Sequence, residues 1–169
     1  AAMQFTRHKT IQWKVFQNSA AYLSDPSQSP DYFHYTPENS RRFRALPSWF
    51  TLMAYGKEGY REIVERNCAA AKYFGELIEC SGGFRLLAPV RMNVVCFTFS
   101  EEIQRQEDIR IFLQAVRDDG RVFFTPTVYK GTPAIRAAIA NWLTKNEDME
   151  LAVEVLSSVL HRIRTVSTP

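Results

Sequence analysis

The second two-thirds of the chain, residues 57–169, predicts an α+β domain with helices packed on an antiparallel sheet. Three observations carry this. From Ile63 to Ile78 apolar residues recur at spacings of three and four, the period of an amphipathic helix. After Ser81-Gly82-Gly83 the period changes, and two short runs rich in Val and Phe follow. From Met149 to Ile163 the helical period returns. Helix, strands, helix, strands, helix is the order of a layered α+β domain rather than of a parallel α/β one.

The elements can be justified in chain order. Residues 2–6 read as a short strand, and Arg7-His8-Lys9-Thr10 as its hydrated basic end. His8-Lys9 resembles the dipeptide around a Schiff-base lysine. The solvated turn is the preferred reading, because Arg7 and Thr10 flank the pair. Residues Ile11 to Phe16 carry a mixed pattern that fits either a short helix or an extended segment.

A long polar stretch follows. Pro26, Pro30 and Pro37, with Asp25, Ser27, Ser29, Asp31 and Asn39, forbid long regular structure. Tyr22, Tyr32, Phe33, His34 and Tyr35 make it too aromatic for a solvated linker. A loop of this length in a compact domain is usually functional or disordered. This one reads as mobile, packing on another subunit or closing over a site. Pro47 opens a helix that Gly56 ends, with Trp49, Phe50, Leu52 and Met53 expected to form its buried stripe. A second helix follows Gly59, with Ile63, Val64, Cys68, Ala71, Phe74, Leu77 and Ile78 facing inward and Glu62 and Arg66 paired at i, i+4 on the wet face.

Phe84 to Leu87 and Asn93 to Phe99 read as strands. Ile109, Phe112, Leu113 and Val116 line a short helix ended by Gly120. Arg121 to Tyr129 reads as a strand whose Pro126 marks an edge or a bulge, since proline cannot donate to a ladder. Lys130 to Pro133 reads as a turn. Ala134 to Asn141 fits a strand better than a helix. Thr144 and Glu147 are spaced as a capping box for the last helix. Its expected inward face is Met149, Ala152, Val153, Leu156, Val159, Leu160 and Ile163.

The composition narrows the function. With 46% apolar and 23% charged residues, the 169-residue chain has the makeup of a soluble globular protein. A net charge of +3, with signs interspersed, offers no basic block for nucleic acid. No apolar run is long enough to span a bilayer. Cys68, Cys80 and Cys96 are odd in number and lie in apolar surroundings, which predicts reduced thiols in an intracellular, cytoplasmic protein. The three histidines are far apart and no cysteine pair has zinc-ligand spacing, so no metal site is expected. Neither a Walker loop nor a GxGxxG occurs. Arg41, Arg42 and Arg44 could take a phosphate or carboxylate, but ion pairs at a subunit contact are the favoured reading.

Five segments occur in a telling order: AAMQFTRHKT, NSAAYL, NSRRFRALPSWFTLMAYGKEGYREIVERN, LAPVRMNVVCFTF and IRAAIANWLTKNEDME. In that order they resemble the C-terminal part of the group II pyridoxal-phosphate-dependent amino-acid decarboxylases, the family of the aromatic-L-amino-acid, histidine and glutamate enzymes. The resemblance covers nearly the whole chain, and the RRFRAL…WF…YG…G run is its most specific piece. It implies fold type I, an α/β architecture. Residues 1–56 would be the end of the cofactor-binding large domain with its mobile catalytic loop. Residues 57–169 would be the small C-terminal α+β domain. It also implies a homodimer and pyridoxal 5'-phosphate.

The resemblance implies roles for two residues. Tyr22, in AAYL, matches the family's loop tyrosine. Once CO2 leaves, Cα must be protonated to give the amine, and a phenol over that carbon can deliver the proton. Relatives with phenylalanine here shift towards oxidative aldehyde formation, so tyrosine implies simple decarboxylation. Ser40 matches a position that enters the neighbouring subunit's site and helps choose the substrate. His34 and Tyr35 lie where the family varies and receive no role. The family's Asp-x-His-Lys-Trp-like motif is absent. His8-Lys9 follows the next strand and lacks the preceding Asp, so no cofactor-binding residue is assigned in this chain. A companion N-terminal fragment, or an uncut upstream region, is expected to carry the lysine. The substrate expected is a small L-amino acid, aromatic first, acidic or diamino next. An amine-oxidising aldehyde synthase, another fold-type-I lyase and a non-catalytic fragment are the alternatives.

Overall fold

The computed structural model describes residues 5–16, 32–38, 42–101 and 105–166. The chain forms two compact units, Ala1–Gly56 and Lys57–Pro169.

In the first unit, helix α1 spans Lys9–Phe16. His8 starts it, its carbonyl accepting the amides of Ile11 and Gln12 at 3.1 and 3.2 Å, while its own N–H donates to Thr6 Oγ1 at 3.0 Å. The alternative left open for Ile11 to Phe16 is therefore settled as helix. Of the strand expected over residues 2–6, Phe5 and Thr6 are not in a strand, and residues 2–4 lie outside the described residues. The Thr6–His8 bond is a local side-chain turn that competes with extended backbone. A 3-10 turn, Tyr32–Tyr35, packs against α1.

Helix α2 runs Leu46–Cys80 and crosses from the first unit to the second. Gly56 interrupts it with φ 60° and ψ −167°, a conformation that costs a side-chain-bearing residue strain. The expected boundary at Gly56 is there, but helical residues resume directly at Lys57 rather than after Gly59. The stripe expected to be buried before that break is not. Trp49, Phe50 and Met53 are 51%, 57% and 65% exposed, and Leu52 is exposed too. Periodicity tells which residues share a face; it does not supply what covers that face. Beyond the break, Ala71, Phe74 and Ile78 are buried, whereas Val64 is exposed. Glu62 and Arg66 pair at 3.4 Å as spaced.

The second unit holds one four-stranded antiparallel sheet, order β1-β2-β4-β3, built from β1 (Phe84–Leu86), β2 (Val94–Phe99), β3 (Thr125–Tyr129) and β4 (Thr132–Ala138). Helix α3, Gln106–Asp119, connects the hairpins and ends at Gly120 in the left-handed region, φ 82°. Helix α4, Asn146–Val166, closes the domain. Register sorts the faces. Val95, Phe97 and Phe99 align with Leu86, Phe84 and Ile135 on one side, and these six are buried or half-buried in the core. Cys96, Thr98 and Arg136 point the other way.

Six phenylalanines form the centre of this core. Phe74 of α2 stacks on Phe124 at 6.0 Å and meets Phe97 edge-on at 5.8 Å. Phe112 of α3 meets Phe99 edge-on at 5.0 Å, and Phe84 lies between. Offset and edge contacts of this kind add to plain area burial. The buried hydroxyl of Thr98 donates to the Pro133 carbonyl at 3.0 Å, so it costs the sheet little.

Three sequence expectations shift. Residues 121–124 lie outside β3, which starts at Thr125. Thr132 and Pro133 belong to β4; the turn is only Lys130-Gly131, both at positive φ (48° and 83°), as a two-residue hairpin matching strand twist requires. The cap of α4 sits one residue later than the Thr144/Glu147 spacing suggested. The helix begins at Asn146, and Asp148 Oδ2 accepts the Lys145 N–H at 2.8 Å. Pro126 lies on an edge strand, where its missing N–H is harmless. On α4, Val155 is fully buried, whereas Val153 and Ile163 are only partly so.

Candidate functional site

Tyr22 and Ser40 lie outside the described residues, as does Arg41. The described residues between them in sequence include the 3-10 turn. The 3-10 turn holds His34 fully buried, its ring 4.1 Å from that of Phe33. Gln12 Nε2 of α1 donates to the Tyr35 carbonyl at 2.9 Å, fixing the turn to the helix. Thr36 Oγ1 closes the turn on the carbonyls of Phe33 and Glu38, at 3.3 and 2.9 Å. A buried His34 is an outcome that the sequence reading missed. Its signal was the run Tyr32-Phe33-His34-Tyr35, apolar enough to need a partner helix. Arg42 and Arg44 are exposed, with the Arg44 amide bonded to the Arg42 carbonyl at 2.7 Å.

The described residues can be tested as a cofactor site. A lysine that carries an aldehyde as an imine at neutral pH must be desolvated or set beside another cation to lower its affinity for protons. All six lysines, Lys9 and Lys72 among them, are exposed. Lys9 sits at the solvated start of α1. Lys72 lines a surface cavity of about 510 Å³ together with Glu76 and Glu79, whose charge opposes a phosphate. The described residues therefore do not fit pyridoxal phosphate as a site of their own. Nor do they gather three or more His, Cys, Asp or Glu side chains suited to a metal ion.

A larger, half-open cavity of about 730 Å³ lies in the second unit, where the segment before β3, the end of β4 and the start of α4 converge. Phe74, Phe124 and Met149 form its apolar wall, and Arg121, Thr144 and Asp148 are polar members of its lining. Arg121 is engaged elsewhere: Nε and Nη2 donate to the two oxygens of Asp119 at 2.7 and 3.1 Å, and Nη1 lies 3.6 Å from Glu154. The bidentate guanidinium holds the Asp119 carboxyl below the usual carboxylate range, and Asp119 in turn raises Arg121 further. On β2, burial pushes the Cys96 thiol up, so it is no activated nucleophile. Cys68, Cys80 and Cys96 are all free. Among the described residues no helix is long and apolar enough to cross a membrane.

Comparison with known proteins places these features in a larger frame. Residues 1–100 match the family model described as the pyridoxal-dependent decarboxylase conserved domain. An aromatic-L-amino-acid decarboxylase of Drosophila melanogaster is 32% identical over 178 residues, covering 93% of this chain and 34% of that protein. A phenylacetaldehyde synthase of Petunia hybrida is 30% identical over 154 residues, covering 85% of this chain and 30% of that one. The crystal structure of Catharanthus roseus tryptophan decarboxylase superposes with a TM-score of 0.68 at 23% identity, covering 78% of this chain and 29% of the other. The chain thus spans about a third of the length of the curated relatives it matches. The fold is that of the fold-type-I enzymes, and the four-stranded sheet with its helices agrees with their small C-terminal domain.

Proposed function

Because the chain belongs to the pyridoxal-dependent decarboxylase family, we propose that it is the C-terminal part of an enzyme converting an L-amino acid, foremost an aromatic one, to its amine and CO2. The observation that carries this reading is the 32% identity to an aromatic-L-amino-acid decarboxylase across 93% of the chain. Pyridoxal 5'-phosphate supplies the electron sink for such chemistry when bound. Since every lysine here is exposed, we assign the cofactor lysine to a companion N-terminal fragment or to an uncut upstream region. Residues 1–56 then end the large domain and residues 57–169 form the small one. Tyr22 donates the proton that replaces CO2 on Cα, and Ser40 contacts substrate across a homodimer interface. Free cysteines suit a reducing compartment, and we place the enzyme in the cytoplasm.

The test is product analysis of the protein purified together with its lysine-bearing part and cofactor, given aromatic L-amino acids, wild type against Tyr22→Phe. Amine and CO2 in equal amounts are expected from the wild type. The variant should lose amine formation and keep the absorbance of bound cofactor. Unchanged amine formation by the variant removes Tyr22 from the reaction. Intact mass after borohydride reduction tells which polypeptide holds the cofactor.

A second reading, an aldehyde synthase, is favoured by the Petunia relative. Aldehyde and peroxide in place of amine would establish it.

A further inference from the structure

The 730 Å³ cavity of the second unit lies within the size range of small-molecule sites, and its chemistry is selective. Its cation is spent: Arg121 is clasped by Asp119 at 2.7 and 3.1 Å and approached by Glu154 at 3.6 Å. Its anion is only half spent. Asp148 Oδ2 accepts the Lys145 N–H at 2.8 Å, while among the described residues Oδ1 has no hydrogen-bond partner. Asp148 is thus the acidic member of the lining, while Asp119 and Glu154, outside it, hold Arg121. The amides at the start of α4 attract anions, but Glu147 and Asp148 in its first turn already answer that field. The apolar part of the lining includes Phe74 and Phe124, stacked 17° from parallel.

We propose that this cavity binds a small primary amine with an aromatic or other apolar body, its ammonium on Asp148 Oδ1 and its body against Phe124 and Met149. An anion would meet the charge of Asp148, and a neutral apolar molecule would leave the carboxylate unused. Such an amine is also the class of product that the decarboxylation above would form. That correspondence rests on the decarboxylase reading; the site itself does not.

Trp142 gives a local probe. It is 71% exposed and lies between Asn141 and Leu143, both of which line the cavity. Titration of the purified protein with 2-phenylethylamine should change tryptophan emission saturably, and Trp142→Phe should remove that change. Asp148→Asn keeps an oxygen for the Lys145 N–H but loses the charge, and should weaken binding about tenfold or more. Ala152→Leu, which fills the cavity from α4, should abolish binding with the melting transition retained. Phenylacetate should not bind. Wild-type affinity in Asp148→Asn, equal binding of phenylacetate, or the lack of a saturable Trp142 signal would overturn the proposal. The readout needs no turnover, so a protein that, with its lysine-bearing part and cofactor present, releases no CO2 yet binds amine through Asp148 overturns the decarboxylase reading and leaves the site standing.

Discussion

Tyr73 on α2 donates a 2.6 Å hydrogen bond to Glu150 on α4, joining helices whose partners lie 77 positions apart in the chain. The carboxylate favours the protonated phenol and raises its proton affinity above the ordinary value of 10.0, with burial and the charges of Glu150, Glu147 and Glu76 adding to the shift. The folded pKa lies above the unfolded one, so this contribution is fully present below the unfolded value and is lost as pH rises through the folded one. Tyr73→Phe should therefore melt below wild type at neutral pH, and the gap should close in strongly alkaline solution. Thermal unfolding of both proteins across the alkaline range checks this.

Asp119 and Arg121 make the opposite prediction. The folded carboxyl is lowered by the Arg121 hydrogen bonds, so its contribution is present above the unfolded carboxylate pKa and disappears as pH falls through the folded one. Asp119→Asn should be destabilised at pH 7 and should approach wild type in acid. Denaturant midpoints measured down the acid range decide it.

Phe97 contacts Phe74, Phe84 and Phe124 and is fully buried. Phe97→Ala should cost about 3–5 kcal/mol, the loss of transfer energy plus a cavity. Phe123→Ala, at a side chain 69% exposed, should stay within about 0.5 kcal/mol. Urea unfolding of the two variants tests whether burial or mere aromatic content sets stability.

Two glycines should fail for different reasons. A Cβ on Gly56 would meet nothing within 4 Å, so Gly56→Ala should cost about 1–3 kcal/mol through backbone strain alone. A Cβ on Gly75 would fall 2.8 Å from Val90 Cγ2. Gly75→Ala should destabilise by steric conflict, and Val90→Ala should recover part of the loss when combined with it. A double-mutant cycle in denaturant measures that coupling; additivity would refute the clash.

The elements with a strong period were legible from residues alone. Met149, Leu156 and Val159 are buried on α4 as spaced, and Ile109, Phe112, Leu113 and Val116 all face the core from α3. Val155 escaped because a stripe that packs on both sheet and helix is wider than a strict three-and-four count. Trp49 and Phe50 misled because an amphipathic face carries no record of its partner. The proposed site was less legible still. A single tyrosine such as Tyr22 has no period and no spacing, so only resemblance assigned it a role. The cavity of the second unit was invisible in sequence, because Phe74, Arg121 and Asp148 come to line one space only when separate segments converge.

The order β1-β2-β4-β3 has a consequence for how the domain assembles. Each outer pair of strands is a local hairpin, and the Lys130-Gly131 turn joins β3 to β4 directly. Only the central ladder, Val94 with Ala138 through Phe97 with Ile135, joins segments separated by all of α3. The largest single share of the sheet's loop-closure entropy thus falls on the pairing of β2 with β4. Long-range pairing of this kind sets folding speed. Weakening Val95 or Ile135 should slow refolding, whereas weakening the far end of α4 should mainly hasten unfolding.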